Sequence, residues 1–343
     1  MLKKIILFSV FLLSILKIYS QEENFEAFSV LKLKFSSHLA ALQMDYLPYQ
    51  INDISSAINN PSSLSEKTNN QIGLSYTDLF ANIWQGSIYY GRSFEKLGHF
   101  AFGLNYIGYG TFDRTEANGD VVGRFSANDY LFTIGWGRKL DTNLYIGASI
   151  KPIFSQYDTY LSIALAFDLS LTYIWEEKGF GAAVLLRNFG TQLKVYNEIE
   201  EKLPFDLSLT ITKKLKHAPF QLFVSANNLQ KWNLREDDPL NPRDEVDPFT
   251  GEIKKENAFL GTLDNIFRHL NFGINFSPSK HFYLALGYSW KQSREMYLSD
   301  AFSLAGFSYG FGIMVKRFQI SYSRAEYHKF GSPNHITFLM TLP

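Results

Sequence analysis

From Tyr160 to Trp175 the sequence alternates with a period of two. The odd positions carry Leu161, Ile163, Leu165, Phe167, Leu169, Leu171, Tyr173 and Trp175, all apolar. The even positions carry Ser162, Ala164, Ala166, Asp168, Ser170 and Thr172, small or polar until Ile174. Side chains of a strand point alternately to opposite faces, so this is an extended segment with one oily side. A helix needs apolar residues three and four apart instead. The rhythm recurs in Phe100, Phe102, Leu104 and Tyr106, in Phe282, Leu284, Leu286, Tyr288 and Trp290, and in Ile336, Phe338, Met340 and Leu342. About fourteen such segments follow one another from residue 70 to the end of the chain.

Their length separates two all-β architectures. Many reach 10–15 residues, whereas strands of soluble domains average roughly 5–6 and a tilted membrane strand needs about 9–11. The connections alternate as well. Short ones fall at 95–97, 140–141, 176–178, 279–280 and 316–317, while the longest are Asp113–Ala127, Gly190–Leu203, Lys231–Phe267 and Ser293–Ala301. If the first strand rises from the periplasm, every long loop lands outside, as in outer-membrane barrels. Aromatics make up 16% of the chain, and Tyr106, Tyr109, Tyr173, Trp175, Tyr288 and Trp290 near strand ends are expected to form an interfacial girdle. The expected fold is therefore all-β, a transmembrane outer-membrane barrel of about fourteen antiparallel strands. Closure removes every unpaired edge that lipid would penalise.

The remaining chain divides at two points. Lys3 and Lys4 precede a short apolar run, and Tyr19-Ser20 before Gln21 fits a cleavage site, so residues 1–20 read as a signal peptide. Its removal takes three lysines and no acid, leaving a slight negative charge that offers no footprint for nucleic acid. Residues 21–69 do not alternate, and hold Asn59-Asn60-Pro61-Ser62-Ser63, a turn signal. They are expected to fold inward as a plug rather than trail as a periplasmic tail, with Asn60 and Pro61 among the lumen residues. Residues 70–343 form the barrel.

Little points to catalysis. The chain has no cysteine, and its seven histidines make no metal-binding spacing. No Gly-x-Ser-x-Gly elbow or phosphate-cradling glycine loop appears. We expect neither an enzyme nor a cofactor or metal. Asp168, Arg187 and Asp206 lie on the polar sides of three consecutive segments; they either pair inside the lumen or are solvated there separately. The loop Lys231–Phe267 is long enough to be functional. Its acidic residues lack the EF-hand spacing, and its expected use is docking of a surface partner through Trp232, Arg235, Asp237, Asp238, Pro239 and Asn241, with Trp232 as anchor.

Several stretches resemble the PorQ family of outer-membrane proteins of the type IX secretion system. They are Ala40-Ala41-Leu42, Asn60-Pro61 with Leu64, Phe125-Ser126-Ala127, His217-Ala218-Pro219-Phe220, Asp238-Pro239-Leu240-Asn241-Pro242, Arg268-His269-Leu270 and Gly306 to Gly312. The chain is similar, more distantly, to PorV proteins and the long-chain fatty-acid transporter family. Gln43 stands where the family pattern has Gly after Ala-Leu, and Ser62-Ser63 replaces Ala-Leu after Asn-Pro. The resemblance implies a fourteen-stranded barrel within an attachment complex containing PorU, PorV and PorZ. In that complex the barrel tethers PorZ at the cell surface and supports secretion and surface attachment of cargo. The leading expectation is thus a non-enzymatic anchor, set in outer-membrane lipid. The alternative is a transporter of hydrophobic small molecules, which needs an apolar pocket beneath the loops and a break in the wall. Pro152, within the fifth strand, marks the candidate break because proline gives the ladder no N–H. A passive porin ranks third.

Overall fold

The structure is a computed structural model. It describes residues 28–197, 200–235, 257–296, 303–327 and 331–343, with the backbone of a small strand pair at Glu245–Val246 and Ile253–Lys254. The expected leader and the docking residues Asp237, Asp238, Pro239 and Asn241 lie outside the described residues.

Fourteen strands close into one antiparallel barrel. They are β1 Gln71–Phe80, β2 Ile83–Phe94, β3 Gly98–Thr115, β4 Val121–Asp141, β5 Leu144–Tyr157, β6 Tyr160–Trp175, β7 Phe180–Lys194, β8 Asp206–Lys214, β9 Phe220–Ala226, β10 Leu270–Ser279, β11 Phe282–Ser289, β12 Phe307–Val315, β13 Phe318–Ala325 and β14 Asn334–Thr341. Each strand pairs with its sequence neighbours, and β14 returns to β1 in a ladder running from Gln71 with Thr341 to Asp78 with Asn334. The short turns gather at one rim and the longer connections at the other.

The barrel is inside out relative to a soluble protein. On β6 the even residues Ser162, Ala164, Ala166, Asp168, Ser170 and Thr172 are buried, while Leu169, Leu171, Tyr173 and Trp175 are exposed. The same holds for Leu74, Ile88, Phe102, Ile134, Leu284, Leu286 and Phe311. Leaving each such side chain in water would forgo about 1.5–3 kcal/mol, so this surface belongs against lipid. Tyr109 departs from the expected girdle. It lies on the inward side of β3, donates its hydroxyl to Asp129 Oδ2 at 2.7 Å and packs against the interior core.

Boundaries differ from expectation where the alternation fades before the backbone pairing does. The β3–β4 hairpin runs on through polar positions to Thr115 and Val121, held by Phe112 stacked on Phe125 at 5.4 Å and by Arg124 Nε on Asp113 Oδ1 at 3.0 Å. The expected long loop Asp113–Ala127 thus shrinks to a tight tip. Two of the other long loops carry helices, α3 Ala258–Arg268 and α4 Trp290–Glu295, while β7 runs on to Lys194 and shortens the loop expected at 190–203.

Residues 28–69 fill the lumen. They comprise α1 Ser37–Leu42, α2 Ile54–Ala57 and single 3-10 turns at Ser29–Lys32, Pro61–Ser63 and Glu66–Thr68. The segment starts at the long-loop rim, where the Phe28 ring stacks on Tyr196. It ends at the short-turn rim, where Leu342 N donates to Asn70 O at 2.8 Å. Asp53 caps α2 by accepting from Ser56 N at 3.2 Å. Gln43 ends α1 in the left-handed region at φ 55, the conformation that favours Gly there. Val30, Leu42, Met44, Tyr46, Ile54 and Leu64 of this segment are wholly buried.

The plug is seated by polar contacts to inward-facing hydroxyls. Ser37 Oγ lies 2.7 Å from Ser321 Oγ, Ser308 Oγ donates to Ala41 O at 2.8 Å, and Ser62 N donates to Ser170 Oγ at 2.8 Å. Its Pro61 turn sits directly on two wall glycines. A Cβ at Gly147 would stand 2.3 Å from Ser62 N, and one at Gly137 2.0 Å from Pro61 O. Gly147→Ala is therefore expected to lower stability by about 1–3 kcal/mol through overpacking. Urea unfolding of the refolded protein in detergent measures this.

Candidate functional site: a charge cluster where plug meets wall

Six charged side chains meet in the lumen and in chain order alternate basic and acidic: Lys34 and Asp45 from the plug, Lys151 from β5, Asp168 from β6, Arg187 from β7 and Asp206 from β8. Arg187 is the hub. Its Nη2 reaches Asp206 Oδ2 and Asp45 Oδ2, each at 2.8 Å, and its Nε donates to Asp206 Oδ2 at 3.1 Å. Lys34 Nζ lies 3.5 Å from Asp45 Oδ1. Lys151 Nζ lies 2.5 Å from Asp168 Oδ2, which also accepts from Ser149 Oγ at 2.9 Å. Three positive and three negative groups cancel, as buried charges require.

A β-bulge builds the hub. On the β6–β7 ladder Phe167 pairs with Phe189 and Leu169 with Leu186, so Asp168 alone faces both Arg187 and Asn188. Asn188 is left-handed at φ 57, and both residues turn toward the lumen. Asn188 N donates to Asp168 Oδ1 at 2.9 Å. Of Asp168, Arg187 and Asp206, for which pairing and separate solvation both stood open, Arg187 and Asp206 pair directly. Asp168 pairs with Lys151 instead. Asp45, Lys34 and Lys151 join them without a sequence signal, because nothing local in the sequence ties them to residues far along the chain.

Burial pushes the Asp45 carboxyl up, but Arg187 and Lys34 reverse this and hold it below the ordinary carboxylate range. Burial likewise pulls Lys34 down, and Asp45 more than offsets it, holding the ammonium above the ordinary lysine value. Asp45 stabilises the fold above its unfolded value and loses that contribution only as pH falls through its depressed folded value. Lys34 contributes below its unfolded value and fails only as pH rises through its raised one. The Lys34–Asp45–Arg187 contact therefore stays charged across the neutral range.

His38 behaves differently. It is buried in α1 beside the Tyr283 ring at 4.5 Å, and neither ring nitrogen has a hydrogen-bond partner among the described residues. Burial lowers its affinity for a proton, against the pull of Asp53 Oδ2 at 3.9 Å. A depressed base stabilises the fold above its unfolded value of about 6.5 and loses that contribution as pH falls below it. Unfolding midpoints should drop on acidification through that range, and His38→Phe should reduce the drop. Urea titrations on both sides of neutrality measure it.

The other expected residues are placed as follows. Asn60 is buried and donates to Leu47 O at 2.9 Å and Thr172 Oγ1 at 3.1 Å. Pro61 opens the turn seated on Gly137 and Gly147. Trp232 stands at the long-loop rim, 67% exposed, and Arg235 Nε lies 3.2 Å from Asp264 Oδ2.

Behind the wall at β5 the plug leaves a cavity of ≈ 30 Å³, lined by Leu131, Thr133, Lys151, Arg187, Lys34 and Asp45 among others. That space suits a water or two. The adjoining ladder is interrupted. Leu131 pairs with Ile153 and Ile134 with Ile150, but no pairing joins Phe132 and Thr133 to Lys151 and Pro152. On the lipid side this gap is covered by the Phe132 and Phe154 rings, edge to face at 5.9 Å.

No protein-family profile and no curated protein matches the sequence. Solved structures do. The toluene transporter TodX of Pseudomonas putida aligns at 12% identity and TM-score 0.50, covering 93% of this chain and 98% of its own. A TodX mutant lacking S2 and S3, described as a monoaromatic hydrocarbon channel, aligns at 12% identity and TM-score 0.50 over 90% and 99%. A FadL homologue of Pseudomonas aeruginosa aligns at 10% identity and TM-score 0.49 over 89% and 98%. At these identities the TodX alignments show a shared fold, that of an outer-membrane barrel.

Proposed function

We propose that this chain is an outer-membrane channel for small hydrophobic molecules, closed by its N-terminal plug and released sideways into lipid through the wall at Pro152. The observation that carries this reading is the interrupted β4–β5 ladder standing directly over the lumenal cavity. Proline supplies no N–H, so the wall there is held by fewer hydrogen bonds than elsewhere along β5. Thr133 and Lys151 face the cavity at this point of the wall, and the Phe132 and Phe154 rings cover its lipid side. That TodX, which shares the fold, is described as a toluene transporter supports the reading. The cavity is too small for a hydrocarbon and is lined by Lys34, Asp45, Lys151 and Arg187 rather than being the apolar pocket expected of a transporter. Passage therefore needs the plug to shift, and the Asp45–Arg187 contact is a charged latch that holds it alongside the serine contacts. This places the transporter reading ahead of the anchor that the PorQ resemblance implies. The function is permeation, with no catalytic step.

Pro152→Val tests it. Valine restores the N–H, suits a strand and keeps an apolar face toward lipid. Uptake of a small aromatic hydrocarbon into proteoliposomes is expected to fall severalfold while the barrel becomes no less stable. Unchanged uptake would remove the lateral route.

One observation favours the second reading. A lumen so fully occupied suits a non-conducting platform, which in the PorQ family would hold a PorZ-like partner, with PorU and PorV nearby, through the loop at Trp232 and Arg235. Extraction from outer membranes in mild detergent separates the two. A surface protein copurifying in fixed ratio supports the anchor, and the barrel emerging alone or with lipid supports the channel.

A further inference from the structure

The helix α3 is turned the wrong way round for a protein surface in water. Its buried positions are Gly261 and Asn265, and Asn265 is tied down by polar contacts, donating to Trp232 O at 2.6 Å and accepting from Leu234 N at 2.9 Å. On the opposite side stand Phe259 and Leu260, 68% and 59% exposed, with Ile266, Phe267 and the half-buried Leu263. Their spacing of one, four, seven and eight residues makes a single apolar stripe on a helix. Soluble proteins turn such a stripe inward, and a contiguous exposed one marks an interaction surface.

What covers it follows from where it sits. The helix runs straight into β10, at the long-loop rim. Phe267 touches Trp290 at 5.2 Å between ring centres, Trp290 meets Tyr288 at 6.4 Å, and Tyr288 meets Phe307 at 4.6 Å. Tyr288 follows Leu284 and Leu286 on the outward side of β11, and Phe307 is outward on β12. The stripe on α3 is therefore continuous with the lipid-facing belt of the barrel. Basic groups border it. Arg268 Nε donates to Asp264 Oδ2 at 2.8 Å, and the half-exposed Arg294 guanidinium lies over the Trp290 ring at 4.9 Å. Trp290 donates its own N–H to Asp264 Oδ1 at 2.9 Å, which fixes α4 against α3. An apolar stripe edged by arginine and tryptophan is the pattern of a helix lying in a membrane interface, buried roughly 5–10 Å into the headgroup boundary.

We propose that α3 lies on the outer leaflet beside β10 and β11, with Phe259, Leu260, Leu263, Ile266 and Phe267 among the lipid chains. The exposed Trp232 beside it belongs to the same interfacial patch, stacked near His269 at 6.1 Å. This inference does not depend on what the lumen transports.

The chain has no cysteine, so a single introduced one labels one site. Phe259→Cys, carrying a fluorescent label, is compared with Leu286→Cys on the lipid belt and Asn118→Cys at the water-exposed tip of the β3–β4 hairpin. Each is refolded into phosphatidylcholine vesicles with brominated acyl chains, and quenching by the lipid is set against quenching by soluble acrylamide. Lipid quenching at 259 should approach that at 286 and exceed that at 118 severalfold, with acrylamide giving the reverse order. A label at 259 that acrylamide reaches as readily as at 118 overturns the proposal. So does a label shielded from both quenchers, which means that protein covers the helix. Ile266→Cys reads the same stripe if Phe259→Cys fails to fold.

Discussion

Arg187→Ala is expected to destabilise the folded barrel by about 3–5 kcal/mol, the cost of stranding the partners of a buried ion pair. Among the described residues Arg187 alone is bonded to both Asp45 of the plug and Asp206 of the wall. Among the described residues, Asp206 would then keep the Asn228 N–H at 2.7 Å but no cation, and Asp45 would keep Lys34. Lysine in its place restores charge without the fork that serves two carboxylates at once, so Arg187→Lys should recover part of the loss. Combining Arg187→Met with Asp206→Asn, which removes one cation and one anion and leaves Asp45 paired with Lys34, should recover most of it, since removing both charges of a buried pair is far cheaper than stranding one. Urea unfolding of the refolded protein reads all three. A loss for Arg187→Ala below about 1 kcal/mol is what a solvated surface pair gives, and it would show that lumen water, not pairing, holds these charges. The same variant should leak, because the latch between plug and wall is gone.

Deleting residues 29–69 is expected to have the largest functional effect. Strand pairing runs entirely within the barrel, so the wall can close without the plug. Barrels of about eight strands are filled by their own side chains, whereas those of 16–18 leave an aqueous channel. Fourteen strands lined by Ser, Thr, Ala and Gly stand close to the second case. Planar bilayers should show a silent parent protein and a stably conducting deletion, with permeability to small solutes raised on the order of tenfold or more. A folded deletion variant that stays silent would mean that wall side chains and loops, not residues 29–69, close the lumen.

The wall was legible in the sequence because lipid enforces a strict alternation. β6 begins and ends where the pattern of Tyr160 to Trp175 does. Legibility failed where the physical cause is not local. The β3–β4 hairpin projects beyond the apolar band, so Asp113, Arg114 and Thr115 carry no oily periodicity although their backbones remain paired. The bulge at Arg187 and Asn188 depends on how β7 meets Asp168 of β6, which no run of β7 residues announces. Asp45 lies far from Arg187 in sequence, and plug residues have no period to betray which wall groups they face. Pro152 is the intermediate case. Its missing donor is visible in the sequence, but the cavity behind it is visible only in the fold.

On the proposed route a hydrophobic molecule passes only when the plug moves. Ser37 Oγ on α1 and Ser321 Oγ on β13 are 2.7 Å apart, and no native cysteine competes, so Ser37→Cys with Ser321→Cys can staple the plug to the wall. Hydrocarbon uptake into proteoliposomes should stop when the staple is oxidised and return when it is reduced, while each single variant transports normally. Uptake at the same rate with the staple closed would contradict a moving plug and leave the barrel without a gate.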